Sequence, residues 1–400
     1  MPKENPGQIS SLQVTIGGQT VDPALVAGIM IKQCLSQKFG PIGRISVIDA
    51  ERNLAKIKGD GSETAEVTWT DHNGQRFNFE FMVDTGQNID SHSDGSDTNN
   101  SARKHNTYIF TLNGKDTKKV NGGVVYGAKD KPVEEHLKKI YEKLDSKPLI
   151  AKVKTDPTSL NFNQTSFSDA VQKGLNNSKI QGKGENSSYG IVYYDNEGNP
   201  TFNSYENMFS GSPVADFTES ATNTDPDDRF IIDYSPFNIF MNLAKIREGD
   251  VDTSQFNPLN GGLRLGVKPK TDNFRTAGRN PGKKGAGNEN NTIHNCPDPL
   301  NNKCKQGKYS TAADRYNYQS RHLNDNAFEI TVFSRPGVDI GKVINTSILA
   351  KDDKNTTTGN PKTNGKGLVR TIIHRIGAVG EEPRYTQVLQ ILKGDPEGRW

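Results

Sequence analysis

The chain is poor in almost everything that marks a membrane protein, a disulfide scaffold or an enzyme. Only three of its 400 residues are cysteine and two are tryptophan. No segment approaches the ~20 consecutive apolar residues of a membrane-spanning helix, so no membrane anchor is expected. The opening Met1-Pro2-Lys3-Glu4-Asn5-Pro6-Gly7 lacks the apolar core of a secretory signal. A protein made in a cytoplasm, and leaving it only inside an assembly, is therefore expected. Charge of one sign is also missing. Fifty basic residues stand against forty-seven acidic ones, a net +3, so neither nucleic acid nor a membrane surface is an obligatory partner.

Catalytic motifs are equally scarce. There is no GxSxG elbow, Walker A loop, HExxH helix or dinucleotide fingerprint. Gly182-Lys183-Gly184 and Gly261-Gly262 read as turn glycines, and Asp227-Asp228 beside Pro226 as a turn. Cys34 lies in an apolar segment and reads as a small core residue. Cys296 and Cys304, with His294 nearby, could close a loop or offer three metal ligands, but no fourth ligand stands at zinc spacing, and free thiols are the default. Asp90, His92, Asp94 and Asp97 faintly resemble a calcium loop without its spacing. Asn-Xaa-Ser/Thr triplets such as Asn163-Gln164-Thr165 follow from composition. No catalytic, cofactor-binding or metal residue is assigned, no cofactor is expected, and the protein is read as a non-enzyme.

What is present is turn chemistry and alternation. Hydrophobic residues make up only 32%, while glycine numbers 39 and asparagine matches it. That composition predicts many turns and long polar loops around well-patterned short strands. Strands are expected at Leu12–Ile16, Arg44–Asp49, Glu66–Asp71, Arg76–Val83 and Lys104–Leu112. Asn73-Gly74 forms the turn of a hairpin, and Phe77, Phe79 and Phe81 share its core face. Trp69 alternates with them. A polar loop is expected over Asp84–Asn106. A helix over Lys131–Leu144, entered through Pro132, carries Val133, Leu137, Ile140, Tyr141 and Leu144 on one stripe and should lie on the first β unit. A shorter helix is expected over Ser166–Leu175, and a strand over Tyr189–Tyr194.

A further element begins at Asp228–Tyr234 and runs into a short helix entered through Pro236. Residues 257–324 form a polar insertion. Within it Arg264, Lys268, Lys270, Arg275, Arg279, Lys283 and Lys284 face one acid, Asp272, and read as a solvated or partner-facing loop. The last quarter has the clearest pattern. Phe328–Phe333, a turn at Arg335-Pro336-Gly337, Lys342–Leu349, Gly367–Ile376 and Tyr385–Lys393 alternate as strands of a small antiparallel barrel or sandwich. His374, inside one of them, reads as a half-buried structural histidine.

This order of elements resembles the baseplate hub (tail hub) proteins of contractile-tailed bacteriophages and related injection systems. Pro336-Gly337, Gly341-Lys342, Gly367–Ile376 and Tyr385–Leu392 carry the likeness best. The resemblance implies a mainly β protein with minor α, built as two small antiparallel β-barrel tube domains with inserted loop-rich subdomains. The first barrel would span 1–115, a helix-containing region 116–225, the second barrel 226–245 with 326–400, and a loop-rich basic insertion 246–325. It further implies a homotrimer that joins the tail tube protein to the central spike protein and lines the ejection channel. Other baseplate proteins would be partners, with transient contact with DNA or a tape-measure protein in the channel and a virion location. Alternatives from other classes are another tail or capsid structural adaptor and a carbohydrate-binding or cleaving β-sandwich. The second is disfavoured because only Trp69 and Trp400 are present.

Overall fold

The computed structural model describes residues 6–35, 37–49, 53–90, 106–119, 121–144, 146–178, 180–181, 190–219, 229–235, 251–257, 262–265, 291–295, 327–351, 357–359, 364–377 and 384–393. The first β unit comprises β1 Ile9–Ile16, β2 Gln19–Val21, β3 Val26–Cys34, β4 Ile42–Asp49, β5 Thr64–Asp71, β6 Arg76–Asp90 and β7 Asn106–Gly114. Then come β8 Gly123–Pro132, α1 Val133–Lys143, β9 Ile150–Ala151, β10 Pro157–Ser166, α2 Phe167–Asn176, β11 Gly190–Tyr194, β12 Pro200–Ser204, α3 Tyr205–Phe209 and β13 Asp216–Thr218. The rest is β14 Ile231–Ser235, β15 Val251–Asn257, β16 Gly262–Leu265, β17 Asn291–Asn295, β18 Ala327–Val332, β19 Val343–Ser347, β20 Leu349–Lys351, β21 Thr357–Gly359, β22 Gly365–Gly377 and β23 Arg384–Lys393.

The fold is mainly β with minor α, as expected. One 13-stranded sheet holds it together, in the order β14-β18-β23-β22-β3-β4-β7-β6-β5-β1-β2, with β19 attached to β22 and β13 to β19. The central member is β22. One edge pairs with β23 over Gly367–Gly377. The other edge pairs with β19 over Gly365–Leu368 and then with β3 over Thr371–Gly377, and between the two stretches the ladder with β23 is bulged, from Val369 to Thr371. The bulge is where one strand changes partner.

From β1 the ladder runs through β5, β6, β7, β4, β3 and β22 to β23. A single bridge, Gln8 to Arg384, returns it to its start, supported by the Tyr385 N–H donating to Gly7 O at 2.7 Å. The sheet is thus curled, without a continuous closing ladder among the described residues. Its interior holds Trp69, Phe77, Phe79, Phe81, Phe110, Ile376 and Tyr385. Trp69 and Phe77 stack with ring centres 4.8 Å apart. The second core gathers both longer helices, β11, β18 and β19 around Leu368, Val369, Ile372, Leu389 and Ile391. The β22–β23 hairpin therefore feeds both cores.

Sequence alternation located eleven of the twenty-three described strands, with instructive departures. β6 runs on to Asp90, seven residues into the expected loop. There Thr85, Gln87 and Ile89 stay in ladder register with β7 because the partner strand is long enough to hold them. The hairpin β8–β10 was not expected; it pairs across a span that contains α1. The α1 helix packs on that hairpin and on α2, with its stripe in the second core, rather than on the first β unit. Pro132 sits just before the helix and offers no capping side chain. Thr155 supplies one instead: its hydroxyl oxygen accepts from Val133 N–H at 2.7 Å and donates to Glu134 at 2.6 Å.

A close approach fixes the end of β7. A Cβ on Gly114 would stand 2.2 Å from Phe39 O and 2.6 Å from Gly40 Cα, so only glycine fits.

Sharing β22–β23 should make the two cores unfold together. Trp69→Ala, in the first core, and Phe217→Ala, in the second, should each cost about 3–5 kcal/mol. Calorimetry should show either change lowering one common transition; two transitions, of which each variant moves only one, would contradict the shared hairpin.

Candidate functional site

The chemistry-bearing side chains gather where the two cores meet. His374 is fully buried on β22. Its Nε2 lies 2.7 Å from Gln33 Oε1 and its Nδ1 2.7 Å from Tyr385 Oη. An amide oxygen only accepts, so Nε2 carries the hydrogen and the Tyr385 hydroxyl donates to Nδ1. Gln33 continues the chain by donating from Nε2 to Tyr194 O on β11 at 3.1 Å. Gln387 donates to Tyr385 Oη at 2.8 Å. The network thus ties β3, β22 and β23 to β11. With no charged partner, burial pushes the His374 imidazole down to about 3. A neutral imidazole with both nitrogens engaged in hydrogen bonds is a structural bolt. The sequence reading of a half-buried histidine is corrected to a fully buried one.

A cleft of about 250 Å³ opens beside this junction. Asp116 lies in it and accepts from Ser146 Oγ at 2.6 Å and from the Tyr194 hydroxyl. Burial and the Asp116 carboxylate push the Tyr194 hydroxyl far up, so it stays protonated as a donor. Lys115 and Glu80 pair at 2.5 Å on the rim. Ser146 donates to a carboxylate and has no imidazole among the lining residues. It is not set up as a nucleophile.

The Pro336-Gly337 turn forms a clamp. Its preceding Ser334 donates to buried Asp71, and Asn73 Nδ2 donates to Ser334 O at 2.8 Å. Asp71 also accepts from Asn73 N and Gln75 N, which shapes the hairpin around Gly74 at φ +76°. On the far side of the turn, Gly341 N donates to Val369 O on β22. One short segment therefore touches both β regions.

The outer face of β22–β3–β4 is bare and cationic. Arg375, Met30 and Arg44 lie in one cross-strand row, and Ile373, Lys32 and Ile42 in the next. Met30 is 46% and Ile42 43% exposed. Among the described residues no ion pair involves Lys32, Arg44 or Arg375.

Of the residues singled out in the sequence, Cys34 is buried outside any disulfide, accepting from the Thr371 hydroxyl at 3.4 Å. Trp69 is a core residue. Asp90 ends β6, Arg264 lies in β16 and His294 in β17. His92, Asp94, Asp97, Asp227, Asp228, Cys296, Cys304, Trp400 and the basic residues from Lys268 to Lys284 lie outside the described residues. Sequence reasoning missed Gln33, Asp116, Asp71 and Asp339. Asp71-His72-Asn73-Gly74 carried an Asx-turn signal that could have found one of them.

No protein-family model and no curated relative matches the sequence. Solved structures do. A tail protein from Neisseria meningitidis MC58 aligns over 96% of this chain and 96% of its own, at 11% identity and TM-score 0.56. The 43 kDa tail protein of prophage MuSo2 from Shewanella oneidensis aligns over 99% and 98%, at 9% identity and TM-score 0.55. This chain has the fold of phage tail proteins. The alignments run over nearly the whole length of each chain, so the likeness belongs to the overall fold rather than to one module.

The buried histidine gives a signed pH dependence. The unfolded chain takes up a proton near pH 6.5, but the folded imidazole does so only near 3. Between those values the unfolded state binds more protons. The contribution is therefore complete above pH 6.5 and is lost as pH falls, by about 2 kcal/mol between pH 7 and pH 5. In His374→Gln, denaturant unfolding should show a cost of about 1–3 kcal/mol at pH 7 and a correspondingly smaller loss on acidification. An unchanged loss would place the effect elsewhere.

Proposed function

We propose that the chain is a structural, non-catalytic component of a phage-type tail. In this reading it is the baseplate hub, a homotrimer between the tail tube and the central spike that lines the ejection channel of a virion. The observation that carries it is the full-length fold likeness to two tail proteins of nearly equal length. The site chemistry supports the same reading: the His374 imidazole has both nitrogens engaged in hydrogen bonds, and the cleft serine faces an acid instead of a base.

The proposed division is a first β unit over 1–115, a helix-containing region over 116–225, a second β unit over 226–245 with 326–400, and a basic insertion over 246–325. Two β units per chain would place six around one axis in a trimer. A six-fold tube and a three-fold spike could then meet the same protein on opposite ends. The bare face with Met30, Ile42, Arg44 and Arg375 supplies apolar and cationic area of the kind protein interfaces bury. Other baseplate proteins are the further partners, and DNA or a tape-measure protein would pass the channel only transiently.

Light scattering on the purified protein should give three times the 44.0 kDa chain mass. Arg44→Glu with Met30→Asp should lower that mass or abolish co-elution with a spike protein, while circular dichroism stays unchanged. A monomer at micromolar concentration, alone and with spike protein, would overturn the hub reading.

A further inference from the structure

The turn Asp195–Asn199, between β11 and β12, rests on the segment Val338–Ile340, whose two apolar residues are sunk in the second core. Asn196 is 5% exposed. Its Nδ2 donates to Val338 O at 3.0 Å, which fixes the amide orientation, because the reverse would set oxygen against oxygen. Asn196 Oδ1 is then a buried acceptor with no hydrogen-bond donor. Such an orphan costs free energy unless something donates to it. The neighbouring group is Asp339, whose Oδ2 lies 3.3 Å from Asn196 N and whose Oδ1 accepts from Ile340 N at 2.7 Å. A carboxylate can give Oδ1 nothing; a carboxylic acid can give it a hydrogen.

We propose that this contact is a proton-operated latch, in which protonated Asp339 donates its hydrogen to Asn196 Oδ1 and loss of that proton to solvent loosens the contact between the two turns. The charged and titratable groups facing Asp339 are Asp195, Lys342 and Tyr193. Asp195 is held in its own turn, accepting from Glu197 N and Asn199 N, so it presents a second negative charge to a deprotonated Asp339. Lys342 opposes that repulsion, while the Tyr193 hydroxyl, pushed up to about 12, stays neutral. Burial first, and then the Asp195 carboxylate, push the Asp339 carboxyl up to about 7. A carboxyl raised in this way stabilises the closed contact at low pH, and the stabilisation is lost as pH rises through about 7.

The consequence reaches beyond two side chains. The same segment holds the β5–β6 hairpin through Ser334 and β22 through Gly341. Loosening it would free the β11–β12 turn from the junction of both cores. The device is independent of the assembly role.

The test is hydrogen exchange on the full chain at pH 5 and pH 8.5, corrected for the intrinsic pH dependence of exchange. Peptides covering 195–199 and 338–341 should lose at least tenfold in protection at the higher pH, while peptides from β5 and β22 should not. Asp339→Asn, which donates permanently, should remove that difference. A carboxyl-carbon titration of the unmodified protein should show Asp339 ionising near neutrality, and stands even if the variant fails to fold. Ionisation in the ordinary carboxylate range, pH-independent exchange, or a variant that keeps the wild-type difference would each overturn the latch.

Discussion

The structure depends on one strand changing partner. β22 begins beside β19 and ends beside β3, with a bulge between Val369 and Thr371 where the exchange occurs. The bulge lies in the ladder with β23, so β22 stays paired with β23 on one edge while it exchanges neighbours on the other. Along β22, Leu368, Val369 and Ile372 enter the second core and Ile376, farther along, enters the first. The neighbouring hydrogen bonds are arranged around the bulge: Leu35 N donates to Arg370 O, Gly341 N to Val369 O, and Val369 N to Lys342 O. Backbone groups freed by the irregular ladder are thereby taken up by loops from both sides.

Burying polar residues at such a junction has a cost that only full engagement offsets. Gln33, His374 and Tyr385 meet it by forming a chain that ends on a backbone carbonyl of β11, while Gln387 donates to Tyr385 Oη and leaves its own Oε1 without a donor among the described residues. An apolar seam of the same shape could slide; a directional chain of donors and acceptors accepts only one alignment of β3, β22 and β11. The network is therefore better understood as setting register between two cores than as residual chemistry. Its histidine is neutral because burial disfavours the charged imidazolium, the opposite of the tuning toward neutrality an acid–base catalyst needs.

Local pattern made much of this legible. Phe77, Phe79 and Phe81 alternate, and they form one wall of the first core. The stripe of α1 was readable because 3.6-residue spacing of Val133, Leu137, Ile140 and Tyr141 survives any tertiary context. Partnership was not legible. Nothing near His374 announces Gln33, which lies 341 residues away. Nothing in the Pro336-Gly337 turn announces Asp71 or Asn196, because long-range pairs leave no spacing in the chain. The β8–β10 hairpin escaped notice for a related reason: its strands are separated by a helix, and β8 carries Lys129, Asp130 and Lys131, which blur the alternation. His374 was underestimated in burial because one strand shows only its own two faces, while the aromatic lid over this residue comes from Trp69, Phe77 and Phe79.

These limits explain how a chain with 9–11% identity to known tail proteins can share their fold over nearly its full length. Alternation, turn glycines and helix stripes specify elements and can be met by many residues at each position. The exchange of partners at β22 constrains only a few sites: the bulge, the glycines that permit close approach, and the buried donors and acceptors that fix alignment. Outward-facing residues stand outside these constraints. The cationic and apolar outer face of β22–β3–β4 is such a region, exposed on one side and indifferent to the packing on the other.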